Sequence, residues 1–225
     1  MKHKPTREDN FIWLLAALVL LLFLSALFSQ LGLKGARLLV NAGMGFTVIT
    51  AVWSMHSASF KWFSPGTLIA LVIVILMIVD SSIESDVLAP VQLVATFLFL
   101  AVTIFFAWRE VMFTGDITRN TIFGAICIYM LIGLWFGFAY MIVEYFDPES
   151  ISGLDSELWQ ENLHTIAYYS MVTLTTLGYG DITPTSPLTR FLAYMEAAIG
   201  VFYTTVLVAS LIGLRLAGYT STKQE

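Results

Sequence analysis

Charge is what this sequence has least of. Asp, Glu, Lys and Arg make up 12% of its 225 residues, against 58% hydrophobic residues. With a mean hydropathy of +0.81, that much apolar surface cannot be hidden in one or two soluble cores. A soluble globular protein is excluded and a membrane protein is implied. The formal net charge of −5 therefore carries no message about nucleic acid, and neither nucleic acid nor a soluble partner is expected. The one cysteine, Cys127, cannot form an intrachain disulfide, and its place inside an apolar run reads as a packed thiol. Three scattered histidines and that cysteine supply neither paired metal ligands nor a nucleophile beside a base, so the sequence gives no support for an enzyme.

What the chain does have is apolar runs. A membrane helix needs about 20 predominantly apolar residues. Six runs meet that measure, near Phe11–Phe28, Leu38–Met55, Pro65–Ser81, Val91–Trp108, Thr121–Phe146 and Leu188–Leu216. A further apolar segment, 164–176, is too short to cross and runs directly into glycines, so it reads as a re-entrant helix. Non-helical backbone at membrane depth survives only where protein buries it or it lines a water-filled cavity. The expected fold is an all-α membrane protein with six transmembrane helices, one re-entrant pore helix and a loop. Residues 1–116 would form a four-helix domain and residues 117–225 a second unit holding the last two spans. The amino-terminal "MKHKPTR" before an apolar run also resembles a signal peptide, but the run is longer than the usual h-region and a retained helix is expected. The few residues after Leu216 lead to the expectation that no folded cytoplasmic domain follows.

Lys and Arg in the loops set orientation. With the amino terminus inside, the inner side carries Lys2, Lys4, Arg7, Lys61, Arg109, Arg119, Arg215 and Lys223, and the outer side Lys34, Arg37 and Arg190. Both termini are expected in the cytoplasm, and the re-entrant segment then opens on the outer face.

Within that segment stands "TLTTLGYGDITP", residues 173–184. Gly178 and Gly180 permit positive φ and so mark an unusual main-chain path. The order of outer helix, short re-entrant helix, T-x-x-T-x-G-Y-G-D and inner helix resembles the pore module of tetrameric potassium channels. Thr173, Thr176, Gly178, Tyr179, Gly180 and Asp181 carry the resemblance, from Thr121 onward. The family's usual valine is Leu177 here, which keeps an apolar side chain. The resemblance implies an outer helix over 121–146, a pore helix over 164–176, a filter over 176–181 and an inner helix over 188–216. It implies potassium ions held by the main-chain carbonyls of Thr176, Leu177, Gly178 and Tyr179, with Gly180 completing the strand and the Thr176 hydroxyl closing the innermost site. Rings of carbonyls can replace an ion's hydration shell, and one chain supplies one loop. Four loops are required, so a homotetramer in membrane lipid is implied, conducting K+ passively and using no organic cofactor.

Residues around the loop divide between support and ordinary packing. Tyr168 and Tyr169 occupy positions where relatives pack aromatics behind the filter, and Tyr179 would pack among them; interfacial tyrosine is the plainer reading. Asp181 and Glu144 would hold the loop after the filter at its outer edge. Glu196 lies in an apolar run, where an ionisable residue is a functional candidate by default. It either braces the filter through Tyr169, Ser170 or Thr173, or packs near the outer water. Gly200 matches the family's hinge glycine, with Thr204 and Val208 sharing its face toward the cavity; close helix packing needs a small residue there equally. His164 is a candidate pH-responsive group at the outer side. Asp80, Glu84 and Asp86 form either a solvated loop or a cation site.

The fourth run, "VQLVATFLFLAVTIFFAW", has no Lys or Arg before Arg109. Voltage-gated relatives place such charges at every third position there, because moving them through the field supplies the opening energy. Weak voltage dependence at most is expected. A nonselective cation channel and a non-conducting scaffold with a retained pore module remain the rival readings, and the intact "TLGYGD" argues against both. The compact plan suits the plasma (inner) membrane of a prokaryote.

Overall fold

The computed structural model describes residues 10–31, 43–51, 89–113, 119–154 and 159–221. Its elements are α1 (Asn10–Gln30), α2 (Ala89–Phe113), α3 (Arg119–Phe146), β1 (Ile151–Ser152), α4 (Trp159–Leu174), β2 (Thr183–Pro184) and α5 (Pro187–Ser221). Residues 43–51 are also helical. Among the described residues, Phe11–Gln30, Ala89–Val111 and Arg119–Phe146 are long and apolar enough to cross a membrane. The expected run 188–216 falls inside the single helix α5. The run 65–81, the remainder of 38–55, and Asp80, Glu84 and Asp86 lie outside the described residues.

Hydrogen bonds fix the relative directions of the helices. The Phe11 N–H donates to Asn120 Oδ1 at 3.2 Å and the buried Cys127 thiol donates to the Phe11 carbonyl, so α1 and α3 begin at the same end of the bundle. At the opposite end, Ser29 Oγ of α1 meets His164 Nε2 of α4 at 3.1 Å. The Tyr203 hydroxyl of α5 reaches the Ala125 carbonyl of α3 at 2.6 Å while the Tyr140 hydroxyl of α3 reaches Glu196 of α5 at 2.7 Å, so α5 runs antiparallel to α3. Helix α2 lies along α3, with Phe97 stacked on Trp135 at 4.8 Å between ring centroids and Trp108 beside Tyr203 at 6.0 Å.

Helix α4 differs from the expected 164–176 at both ends. It begins at Trp159 because Trp159 and Leu163 are buried on one face and Glu161 supplies an acid to the first turn, where the dipole favours it. It stops at Leu174 because the chain turns there. Helix α5 starts as its sequence dictates: Ser186 caps it by accepting the Thr189 N–H at 3.2 Å, and Pro187 occupies the first helical position, where no N–H is needed. The all-α expectation needs one small amendment. Ile151 pairs with Pro184 and Ser152 with Thr183 in a two-stranded antiparallel ribbon that ties the loop after α3 to the segment before α5.

Candidate pore and filter

The end of α4 makes a Schellman turn. The Leu177 N–H donates to the Val172 carbonyl at 2.9 Å and the Thr176 N–H to the Thr173 carbonyl at 2.9 Å, the paired bonds that close a helix through a left-handed residue. That residue is Thr176, with φ of 60°. Glycine is usual there; a β-branched residue in this region stores about 1–3 kcal/mol, a cost that persists where the surroundings over-determine it. Gly178 and Gly180 follow at φ of 57° and 80°, while Leu177 and Tyr179 between them are not positive. The sign of φ thus alternates through five residues. In an ordinary strand successive carbonyls point to opposite sides; reversing the hand at every second residue brings them round to one side. A Cβ at Gly178 or Gly180 would meet nothing within 4 Å, so their requirement is conformational rather than spatial.

A cuff of side chains stands at the far end of this strand. Tyr168 stacks on Tyr179, with centroids 6.5 Å apart and planes within 8°, and its hydroxyl donates to Asp181 Oδ2 at 2.7 Å. That hydrogen bond pushes the Tyr168 phenol up to about 12, and the same bond holds the Asp181 carboxyl below its ordinary range. Glu144 accepts from the Glu149 N–H at 2.9 Å, the Ser150 hydroxyl at 2.8 Å and the Ile151 N–H at 2.9 Å. The strand thereby fixed is the one paired with Thr183–Pro184, so Glu144 holds the segment after Gly180 at one remove. The Ser150 carbonyl adds bonds from the Thr185 N–H and the Thr189 hydroxyl, both at 2.9 Å.

Tyr169 does not join this cuff. Neighbouring residues on a helix point about 100° apart. Tyr168 faces Tyr179, and Tyr169 is buried on the other side, its ring edge-on to Tyr140 at 5.0 Å. There it stands in a second, buried group between α3, α4 and α5. Glu196, with no exposed surface, accepts from the Tyr140 hydroxyl at 2.7 Å and lies within hydrogen-bond distance of Ser170 Oγ, which also meets the Gly133 carbonyl. Four residues along α5, Gly200 packs so closely on α4 that a Cβ would collide with the Leu174 carbonyl. One turn further, the Tyr203 ring lies 5.7 Å from Tyr129, whose hydroxyl donates to that same Leu174 carbonyl at 3.2 Å. Positions 196, 200 and 203 form one helical stripe, riding on 170 and 174.

Gly200 is therefore used here for close approach within a continuous helix. Thr204 is exposed in the single chain, its hydroxyl bonding back to the Gly200 and Val201 carbonyls; the Val208 side chain lies outside the described residues. His164 Nδ1 bonds the Glu161 carbonyl at 2.9 Å, and its other nitrogen meets Ser29 and Thr165. Thr173 contributes its carbonyl to the helix-ending turn.

Sequence reasoning missed Tyr129 and Tyr140. A signal was present: two phenols eleven residues apart in one apolar run share a helical face, and each buried hydroxyl in such a run requires an acceptor.

A family profile described as "Ion channel" matches residues 128–214. Over 90 residues the chain is 33% identical to a protein of Aeropyrum pernix named "Voltage-gated potassium channel". The match covers 40% of this chain and 26% of that relative, so the chain spans about a quarter of the relative's length. No solved structure matches.

Proposed function

We propose that this chain, whose residues 128–214 match an ion-channel family profile, is one subunit of a homotetrameric, potassium-selective channel that lets K+ pass down its gradient. The observation that carries the reading is the alternating hand of Thr176, Leu177, Gly178, Tyr179 and Gly180. Four such strands around an axis would present the carbonyls of Thr176, Leu177, Gly178 and Tyr179 as successive rings for K+, with the Thr176 hydroxyl closing the innermost site. The residues present suit that ion: oxygen donors, apolar neighbours and no charged side chain within the strand. Helix α4 would turn its carboxyl end, the negative end of its dipole, toward the cavity.

The tetramer is supported by what a single chain leaves uncovered. Leu177 and Tyr179 are 56% and 66% exposed, and Phe191, Tyr194, Val201 and Phe202 of α5 also expose large apolar side chains. Each subunit would have six spans, both termini in the cytoplasm and a first domain, 1–116, without gating charges. Voltage dependence is accordingly weak or absent. A bend at Gly200 would open the inner end, lined by Thr204 and Val208, only by parting α5 from the Leu174 carbonyl. The site of action is the inner membrane of a prokaryote, with lipid as the immediate surroundings.

The test is ion flux from liposomes holding the purified protein. K+ efflux that exceeds Na+ efflux by roughly a hundredfold or more, and its loss in Gly178→Ala, where a side chain is forced into the left-handed region, are the expected results. Equal K+ and Na+ fluxes would turn the reading to a nonselective cation channel.

A further inference from the structure

The buried group behind the filter holds one more contact than its evident hydrogens can serve. Ser170 Oγ lies within hydrogen-bond distance of the Gly133 carbonyl oxygen and of Glu196 Oε1. A hydroxyl has one hydrogen, and a main-chain carbonyl can only accept. If Ser170 gives its hydrogen to Gly133, an ionised Glu196 would face the serine oxygen with lone pairs on both sides. Tyr140 cannot make up the deficit, because its hydrogen already lies on the other carboxyl oxygen, Oε2, at 2.7 Å. The missing hydrogen belongs on Glu196 Oε1.

We propose that Glu196 keeps its proton in the working channel, and that the neutral acid is the positioning residue that clamps the pore helix between α3 and α5. The donors then run in one direction. Tyr140 Oη–H donates to Glu196 Oε2, Glu196 Oε1–H donates to Ser170 Oγ, and Ser170 Oγ–H donates to the Gly133 carbonyl. Every polar atom of the three side chains has a partner, which a buried group of this kind requires. The surroundings agree: among the described residues the titratable groups facing Glu196 are the phenols of Tyr129 and Tyr140 from α3 and of Tyr169 from α4, and no cation accompanies it. An unpaired carboxylate at membrane depth is costly.

The functional consequence rests on the channel reading above. Ser170 stands one turn before Leu174 and the Schellman turn, so the clamp fixes the helix from which the filter strand departs. Removing the proton at high pH forces the Ser170 hydroxyl to abandon either Gly133 or Glu196, and the stranded acceptor loosens the base of the filter.

The experiment compares wild type with Glu196→Gln and Glu196→Ala in K+-loaded liposomes, with pH set equal on both sides. Glutamine reproduces the acid's pattern, donating to Ser170 through its amide nitrogen and accepting from Tyr140 through its oxygen; alanine reproduces none of it. Wild-type K+ flux is expected to fall roughly tenfold between about pH 7 and about pH 10, the effect of stranding one buried hydrogen-bonding group. Glu196→Gln should restore the flux that Glu196→Ala loses and should show no alkaline decline. Loss of flux in Glu196→Gln equal to that in Glu196→Ala, or an alkaline decline of the same size in wild type and Glu196→Gln, would overturn the proposal. Infrared spectra of the purified proteins at neutral pH decide the protonation state without conduction: the carbonyl band of a protonated carboxylic acid, present in wild type and absent from Glu196→Gln, is expected, and its absence from wild type would overturn the assignment. If wild type passes no K+ at all, the channel reading fails, while the infrared band still decides whether Glu196 holds its proton.

Discussion

The same chemical pair occurs on both sides of the pore helix, and only its surroundings differ. At the outer mouth the Tyr168 phenol donates to the Asp181 carboxyl at 2.7 Å in reach of water; behind the helix the Tyr140 phenol donates to the Glu196 carboxyl at 2.7 Å with no water surface at all. Equal distances do not mean equal consequences. A partner lost at the mouth is replaced by solvent, whereas one lost at the back leaves a buried polar atom that nothing can satisfy. A partner lost at the mouth is therefore expected to cost little stability, and one lost at the back much more.

The comparison breaks most completely at Gly200. Any side chain there collides with the Leu174 carbonyl, so Gly200→Val should destabilise the assembly by about 3 kcal/mol or more, seen as loss of the assembled peak in size-exclusion chromatography. A hinge role alone would instead leave assembly intact and change only opening.

A smaller effect separates the two phenols. Tyr140→Phe removes the hydrogen bond to Glu196 Oε2 without removing the ring, and should lower thermal stability by about 1–3 kcal/mol. Tyr168→Phe should lower the thermal midpoint much less, because water takes the place of the lost partner, and should alter the rate at which current declines during sustained opening. Equal loss of stability in the two variants would dissolve the distinction between mouth and back.

The pH profile sharpens the contrast further. The Tyr168 phenol is raised from 10.0 to about 12, so the stabilisation its bond gives is complete below about 10 and is lost as pH rises through about 12. The Asp181 carboxyl is held below its usual 3.8, so its share is present above that value and is lost only as pH falls beneath it. Neither group at the mouth changes charge between about pH 7 and about pH 10, and a change of flux in that interval points to the back.

What the sequence made legible follows from which physical requirements have only one solution. Gly178 and Gly180 announced a left-handed path because no other residue takes it freely, and the apolar runs 11–28, 91–108, 121–146 and 188–216 announced the helices found there through length alone. Thr176 concealed the third left-handed position: a threonine at the end of a helix reads as an ordinary turn residue, and only the paired bonds to Val172 and Thr173 reveal it. Gly200 offered two readings because a hinge and a close approach both call for a missing side chain, and the distance to Leu174 decides which is in use. Tyr129 and Tyr140 went unremarked because the acceptors of their hydroxyls, Leu174 and Glu196, lie on other elements. The pairing of Ile151–Ser152 with Thr183–Pro184 left no trace, since a two-residue strand has no period to detect.

Whether the alternating strand from Thr176 to Gly180 selects potassium is measured most directly by the reversal potential of the reconstituted protein with K+ on one side of a bilayer and Na+ on the other. The expected reversal lies far from zero with the K+ side negative, and open probability stays nearly flat as voltage is stepped. A reversal near zero under the same gradient would contradict potassium selection.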